Sequence, residues 1–397
     1  MSPYKPIALG LVAITNLLFL YKYLARASVA MACASLLVWF MALGLVVYLY
    51  YKPQIHKWVP VALLLGMSAL SIACISLVDK ETLRVDRWEI VALFFDSIEQ
   101  GINPYSQHLP SGNPIGAMPI YFLILAPFHY IGELSLALLT TLAGIFIYAF
   151  RKLPNQQTYV LAALAAISIP LYWELACRST ILVNSLVFLF YFLWLYQTIE
   201  QHPQALALPM FIGGLLLSTR TVFALPLLLF FGILLSKVEN VSERSIVENV
   251  GRGRLVRDKI VENVSERSKM VSLLKIVGYG VLVLVGYVLP LVPFFAIWPE
   301  QMLAENPFIT QGTNLIPFWV IAILAVVALG IGIGLRSYDR QLGVFYGGIL
   351  LFAAGLAHLI CCAATTSFTE AYINSGADIS YLLFSYPFFG YVLLKED

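Results

Sequence analysis

The chain has 397 residues, of which 60% are hydrophobic and only 12% are charged, and its mean hydropathy is +0.85. Such a chain cannot bury its apolar surface in a water-soluble core, so it must be solvated by lipid. A net charge of +2 is too small to indicate nucleic-acid binding, and the five cysteines show neither C-x-x-C spacing nor a disulfide framework.

Apolar segments that span, or nearly span, a bilayer recur along the chain. We therefore predict an all-α, polytopic protein with about twelve transmembrane helices in one transmembrane domain, residues 1–397. The first segment is predicted to be a retained helix, not a signal peptide, because Tyr21, Lys22 and Tyr23 resemble an interfacial belt at its end. The predicted segments are 7–25, 29–51, 59–78, 119–149, 158–173, 181–199, 205–218, 222–236, 271–296, 316–335, 342–360 and 379–394.

Basic residues in the short loops predict the orientation. Placing both termini in the cytoplasm satisfies the positive-inside rule and puts the loop 79–118 on the external face. The chain shows no organelle retrieval signal, which fits a bacterial inner membrane. The basic residues that favour this orientation are Lys52, Lys57, Arg151, Lys152, Arg336, Arg340 and Lys395.

The loop 79–118 collects polar residues in an otherwise apolar chain. At 100° per residue, 86–100 forms an amphipathic helix with Phe94 on its apolar arc, and we predict that it lies on the membrane surface. Gly101 is predicted to end this helix, and the Pro- and Gly-rich stretch that follows predicts an ordered, turn-rich loop. The acidic arc carries Asp86, Glu89, Asp96 and Glu99.

Polar residues near the later membrane segments are further candidates. Glu174 and Arg178 are four residues apart and could pair on one helix face, or Arg178 could bind an anion. Arg220 is either a snorkelling arginine or an anion ligand, and Asn184 is either a helix–helix contact or a substrate contact. We interpret His358 as structural and Asp378, in the last external loop, as a solvated surface charge.

The segment 237–269 differs in composition from the rest of the chain. Asn240-Val-Ser-Glu-Arg-Ser245 returns as Asn263-Val-Ser-Glu-Arg-Ser268, and both copies are rich in charge. Fewer than two full copies cannot build a solenoid, so we predict a duplicated polar insert in a cytoplasmic loop. A partner-binding loop is the functional alternative.

One pattern in the external loop resembles a known family. Asp86, Trp88 and Gly101-Ile-Asn-Pro-Tyr105, followed by Met118-Pro119-Ile-Tyr121, are similar to the first external loop of GT-C membrane glycosyltransferases. The pattern is closest to the enzymes that use polyprenyl-phosphate sugars, glycosyltransferase family 87 and related uncharacterised membrane families. Arg178–Asn184 and Ser218-Thr-Arg220 resemble two later motifs of the family, although a Gly-Gln pair is missing from the first.

The resemblance implies an inverting hexosyltransferase, with mannose as the commonest sugar of the family. Its donor would be a polyprenyl-phosphate hexose, and its acceptor a lipid-linked or cell-surface glycan. Phosphate is a good leaving group, so a single carboxylate suffices as general base, and an arginine suits the departing charge. The predicted site comprises Asp86 or Glu89 as base, Arg220 and Arg178 on the phosphate, and Asn103, Tyr105, His108 and Asn184 in the substrate pocket.

The sequence leaves open whether the site holds a metal. The scheme requires no metal, although Asp86, Glu89 and Asp96 could hold a divalent cation.

The sequence also leaves open two functions other than the enzyme. A secondary transporter or a lipid or polysaccharide flippase would also have about twelve helices, but it should show matching halves with polar sites near the midplane, which this sequence lacks. A scaffold subunit without activity is the third reading.

Overall fold

The computed structural model describes residues 4–25, 29–50, 56, 58–82, 86–236, 258–312, 316–335, 339–374 and 377–394. Helices make up the regular structure of this part of the chain, apart from one isolated bridge between His108 and Pro114. This confirms the all-α prediction. The first ten helices are α1 (Tyr4–Ala25), α2 (Val29–Tyr50), α3 (Trp58–Leu77), α4 (Arg87–Glu99), α5 (Pro119–Ile131), α6 (Ser135–Lys152), α7 (Asn155–Ala166), α8 (Ile169–Ala176), α9 (Ile181–Gln201) and α10 (Ala207–Leu217).

The second half of the chain is also helical. Short 3-10 turns connect several of these elements, including Pro104–Ser106 before α5 and Ile379–Phe384 before the last helix. The remaining helices are α11 (Thr221–Ser236), α12 (Asp258–Val288), α13 (Val292–Ile297), α14 (Pro299–Ala304), α15 (Pro307–Gly312), α16 (Phe318–Leu335), α17 (Arg340–Thr365) and α18 (Tyr386–Leu394).

Seven helices among the described residues are long and apolar enough to cross a membrane, and a bent pair makes an eighth candidate. The protein is therefore a helical membrane protein. Five shorter apolar helices accompany them, so the predicted count of about twelve spans stays a prediction. The seven are Tyr4–Tyr23, Trp58–Leu77, Ser135–Lys152, Ile181–Gln201, Met270–Ile297, Phe318–Leu335 and Arg340–Thr365.

The predicted single segment 119–149 is wrong, because the structure divides it into α5 and α6. Gly132 has φ +90, and its backbone N–H bonds to the carbonyl of His129, which ends α5 in a left-handed turn. Glycine adopts this conformation without steric cost. The apolar residues on both sides hide this turn from a hydropathy reading.

A second break divides the predicted segment 158–173. Helices α7 and α8 meet at 55°, and Ser168 caps the start of α8 by accepting a hydrogen bond from the Leu171 N–H. Pro170 in the first turn of α8 has no N–H to continue the hydrogen-bond ladder of α7. The predicted segment is therefore two helices.

Helix α1 is packed against the C-terminal part of the protein. The buried Asn16 amide donates to the Tyr386 hydroxyl at 3.0 Å and accepts from the Ile169 N–H at 2.9 Å. One side chain thus joins α1, α8 and α18. An amide that satisfies groups on neighbouring helices fixes their relative position in an apolar environment.

The predicted polar insert, 237–269, falls largely outside the described residues. Residues 237–257 belong to the part that the structure does not describe, and from Asp258 onward the backbone is helical as the start of α12. The duplicated sequence is therefore partly helical, where the sequence predicted a loop.

Glycines bring two pairs of helices into close contact. A Cβ at Gly286 of α12 would lie 2.3 Å from the Phe211 carbonyl oxygen of α10, and one at Gly332 of α16 would lie 2.1 Å from the Leu229 carbonyl oxygen of α11. Small residues permit such backbone approach between membrane helices. The helices can pack this closely only because glycine has no side chain at Gly286 and Gly332.

We expect Gly286→Ala to destabilise the protein, because the added methyl group must push α10 and α12 apart. Overpacking of this kind costs about 1–3 kcal/mol. The measurement is thermal unfolding of the detergent-solubilised protein. Gly280→Ala is the matched control in the same helix, since a Cβ there meets no atom within 4 Å. Equal melting temperatures for the Gly286→Ala and Gly280→Ala proteins would contradict a close contact between α12 at Gly286 and α10.

Candidate functional site

The amphipathic helix predicted from the loop is present as α4, and part of its apolar face is buried in protein. Val91, Phe94 and Phe95 are buried, and the Phe94 ring stacks on Phe122 of α5 with centroids 3.7 Å apart. Gly101, with φ +70, follows the helix end as predicted. Three residues of the predicted apolar face thus pack within the protein, whereas Ile98 of the same face is exposed, and the membrane-surface position stays a prediction. The contact with α5 fixes the position of α4.

The N-terminus of α4 lines a cavity of about 880 Å³. Its walls come from the end of α1, the loop after α4, the C-terminal part of α8, the turn between α10 and α11, α17 and the turn before α18. Among the charged residues of the lining are Asp86, Arg87, Glu89 and Arg220. The remaining lining includes Lys22, Tyr23, Asn113, Tyr121, Trp173, Thr219, Ala354, Gly355, His358, Asp378, Tyr381 and Phe384.

Asp86, the predicted base, is half-buried at this wall. Its carboxylate Oδ2 accepts a hydrogen bond from the Asn113 amide at 2.7 Å, so the loop after α4 orients it. Glu89, one turn further along α4, lines the same cavity. Both candidate bases therefore face one space, and the identity of the base stays open between them.

Arg220 joins the cavity from a different part of the chain. It lies in the turn between α10 and α11, and its guanidinium carbon is 5.0 Å from the Tyr121 ring centroid. Its buried Nε has no hydrogen-bond partner, and no carboxylate pairs with it among the described residues. This guanidinium is held by an aromatic face and keeps its capacity for an anion.

Arg87 has a different environment, although it lines the same cavity. Its guanidinium pairs with the Asp378 carboxylate and lies 3.3 Å from the Ser179 hydroxyl. The Asp378 carboxylate also accepts from the Ser380 backbone N–H at 3.0 Å. The interpretation of Asp378 as a solvated surface charge is wrong, because its carboxylate forms an ion pair with Arg87. The two residues are 291 positions apart in sequence, so the sequence pattern did not reveal the pair.

Glu174 and Arg178 do not pair in the structure. Glu174 is fully buried and accepts from the Leu182 N–H at 3.0 Å, whereas Arg178 turns away from it. The Arg178 guanidinium donates to the carbonyl groups of Ile75 and Val78 at the end of α3, at 2.7 and 2.8 Å. It also lies 3.6 Å from Glu133.

These contacts give Arg178 a structural position. Its guanidinium satisfies carbonyl groups that the end of α3 leaves unpaired, and its backbone adopts φ +50 at the turn before α9. It is absent from the cavity lining. The sequence predicted that Arg178 and Arg220 bind the same phosphate, but only Arg220 lines the cavity.

The four predicted pocket residues also lie away from the cavity lining. Asn103 accepts from the Tyr105 N–H, so it shapes the turn, and the Tyr105 ring packs 6.1 Å from Phe94. His108 is exposed, and Asn184 is buried within α9. None of the four appears among the residues that line the described cavity.

The predicted acidic cation site is not assembled in the described part of the chain. Asp96 lies ten residues after Asp86 along α4, which corresponds to roughly 15 Å of helix. Asp96 is exposed, whereas Asp86 and Glu89 face the cavity. No group of three or more potential metal-ligating side chains comes together among the residues described.

Several residues of the cavity were missed or given another role by the sequence analysis. Lys22 is buried at the end of α1 and donates to the Ala377 carbonyl at 3.3 Å, although the sequence suggested an interfacial lysine. Arg87 follows Asp86 directly in sequence, and the sequence analysis gave it no role. Their retention among apolar residues was the available signal, since charge near membrane segments needs a partner or a function.

The Arg87–Asp378 pair predicts a pH dependence of stability. Burial alone would raise the pKa of the Asp378 carboxyl, but Arg87 and the Ser380 donors outweigh it and hold this pKa below its ordinary value. A carboxyl with a lowered pKa stabilises the fold above its unfolded pKa of about 3.9, and this contribution is lost as pH falls below that value.

We expect Asp378→Asn to remove the ion-pair partner of Arg87, which keeps only the weaker attraction of the buried Glu174, and to cost about 2–3 kcal/mol. This is less than for a fully buried pair, since the Asp378 side chain is 38% exposed. Thermal unfolding from pH 7 to about pH 2 measures the effect, since the contribution is lost between the unfolded pKa and the lower folded pKa. The difference between wild type and variant should narrow at the acidic end, and a constant difference would show that the pair does not stabilise the fold.

Comparison with known proteins adds no assignment. No family model matches the chain, and no curated protein or solved structure matches it either. A function for this chain must therefore be argued from the cavity and its residues.

Proposed function

We propose that the protein is a membrane glycosyltransferase of GT-C type, which transfers a hexose from a polyprenyl-phosphate donor to a lipid-linked or cell-surface glycan. The observation that supports it is the shared cavity, because Asp86, Glu89 and Arg220 line one space although they come from distant parts of the chain. A carboxylate and an arginine without a carboxylate partner are the two groups that this reaction needs.

Asp86 would act as the general base. The acceptor hydroxyl passes its proton to the carboxylate while its oxygen attacks the anomeric carbon of the donor sugar. The bond from that carbon to the phosphate oxygen breaks, and its electron pair leaves with the phosphate. The new bond forms on the opposite face, so the configuration inverts. The hydrogen bond from Asn113 would hold Asp86 in position for the proton transfer.

Arg220 would stabilise the departing phosphate. Its guanidinium is supported by the Tyr121 ring, and its free donors can bind two phosphate oxygens. Arg87 is less suited to this role because Asp378 already neutralises it. The phosphate is therefore placed at the Arg220 side of the cavity, and Arg178 has no part in the scheme.

The membrane setting fits a lipid-linked donor. Two of the apolar helices, α1 and α17, contribute residues to the cavity lining, and a polyprenyl chain could remain in the bilayer while its headgroup enters. From the distribution of basic loop residues we infer that the cavity opens to the external face of a bacterial inner membrane. Mannose is the hexose we would test first.

We expect Asp86→Asn to reduce sugar transfer at least about 100-fold, because the amide keeps the shape of the side chain and removes the base. Transfer from radiolabelled polyprenyl-phosphate mannose into lipid-extractable or surface glycan is measured in membranes with equal expression. Glu81→Gln is the matched control, an exposed acid in the same loop that does not line the cavity.

The Asp86 result separates the candidate functions. Equal loss in the Asp86 and Glu81 variants would contradict a specific base, and an active Asp86→Asn protein with an inactive Glu89→Gln protein would transfer the role to Glu89. Absence of transfer by the wild type with any hexose tried would overturn the enzyme proposal and favour a transporter, which uptake into proteoliposomes would test.

Arg220→Gln should lower kcat/KM at least about 100-fold, since it removes the cation that stabilises the departing phosphate. Arg220→Lys should retain part of the activity, because a lysine keeps the charge but lacks the planar fork. Arg151→Gln, which removes an exposed charge at the end of α6, is the control. An Arg220→Gln enzyme as active as this control would place the phosphate elsewhere.

A further inference from the structure

One wall of the cavity carries polar groups for which the proposed reaction has no use. We call it the C-terminal wall, and it consists of Ala354, Gly355, His358, Asp378, Tyr381 and Phe384. The first three belong to α17 and the others precede α18. The proton and the phosphate are handled by residues from other elements, so this wall needs a separate explanation.

Asp378 is fixed in place but retains a surface towards the cavity. It accepts from Arg87 and from the Ser380 N–H, and it starts the turn Ile379–Phe384. Its side chain is nevertheless 38% exposed, and it lines the cavity. An ionised carboxylate has about four acceptor positions. Arg87, the Ser380 N–H and the Ser380 hydroxyl use three of them, so one remains for a ligand.

His358 supplies a complementary donor. The backbone N–H of Asp378 donates to His358 Nε2 at 3.3 Å, and this assigns the proton of the neutral ring to Nδ1. His358 is only 1% exposed, and its Nδ1 has no hydrogen-bond partner among the described residues. A buried N–H without a partner is costly unless a ligand or water accepts from it, and His358 is one of the residues that line the cavity.

Tyr381 connects this wall to the proposed reaction site. Its ring lies 5.1 Å from the His358 ring, and it lines the same cavity as Arg220 and Asp86. Its hydroxyl makes no hydrogen bond within the described part of the chain, so it is available as a donor or an acceptor.

We propose that Asp378, His358 and Tyr381 form a subsite that recognises the hydroxyl groups of the hexose. The inference rests on the proposed function, because it assumes that a sugar occupies this cavity. A polyol needs an acceptor, a donor and an apolar ring face, which these three side chains provide. The Arg87–Asp378 pair is neutral and leaves no cation on this wall for a phosphate, so the sugar lies along this wall and the phosphate lies at Arg220.

Binding, rather than turnover, tests the subsite. The parent protein is the full chain carrying Asp86→Asn, and acceptor is omitted so that no sugar is transferred during the measurement. Two radiolabelled diesters of equal charge are compared, a polyprenyl-phosphate hexose and polyprenyl methyl phosphate, which has no sugar. The parent should bind the hexose diester more tightly, and Tyr381→Phe should reduce this preference about 3- to 10-fold through the loss of one hydrogen-bonding group.

The affinity for the methyl diester is the internal control. Tyr381→Phe should leave it unchanged, and so should Tyr130→Phe, which removes an exposed hydroxyl outside the cavity. His358→Phe provides a second test and should also lower the preference, in protein whose melting temperature is checked beforehand.

Three results would overturn the subsite in different ways. An unchanged preference in both variants, together with Asp86-dependent transfer in membranes, would exclude the subsite and leave the proposed function intact. Failure of the parent to bind either diester would refute the subsite and the proposed function together. A parallel loss of affinity for both diesters would show that the wall binds the phosphate.

Discussion

The position of the cavity depends on one ion pair, between Arg87 at the start of α4 and Asp378 before α18. A guanidinium in the protein interior is tolerated only when its charge is compensated, and removing one partner leaves the other with the full cost of desolvation. Arg87 also contacts Ser179 in the turn before α9. The pair therefore fixes the N-terminus of α4 against two later parts of the chain.

The ion pair also positions residues of the proposed site that are close to it in sequence. Asp86 precedes Arg87 directly, and Tyr381 lies three residues after Asp378, so closing the ion pair places both along the same cavity. The stack of Phe94 on Phe122 holds the other part of α4 against α5. An ionic contact thus positions the polar end of α4, and an aromatic contact positions its apolar face.

The sequence predicted the parts that depend on local pattern. Hydropathy located the apolar helices, and the periodicity of 86–100 located α4 and its end at Gly101. It failed at Gly132, because a left-handed turn between two apolar helices leaves no change in hydropathy. It failed at Asp378 and Arg178 for another reason, since a side chain's partner across a fold is not encoded in its neighbours. Arg178 and Arg220 look alike in sequence, but their contacts differ. Arg178 donates to carbonyl groups at the end of α3, whereas Arg220 has no carboxylate partner among the described residues.

The charges along the cavity suit a reaction that moves charge without creating it. Three cations, Lys22, Arg87 and Arg220, and three carboxylates, Asp86, Glu89 and Asp378, contribute to the lining. In the proposed transfer a phosphate diester becomes a monoester with one more negative charge, while Asp86 loses its charge by accepting the acceptor's proton. The total charge inside the cavity stays constant, and negative charge moves from Asp86 towards Arg220. Fixed groups that favour this displacement lower the barrier without reorganising at the moment of transfer, and the Arg87–Asp378 pair, already neutral, does not oppose it.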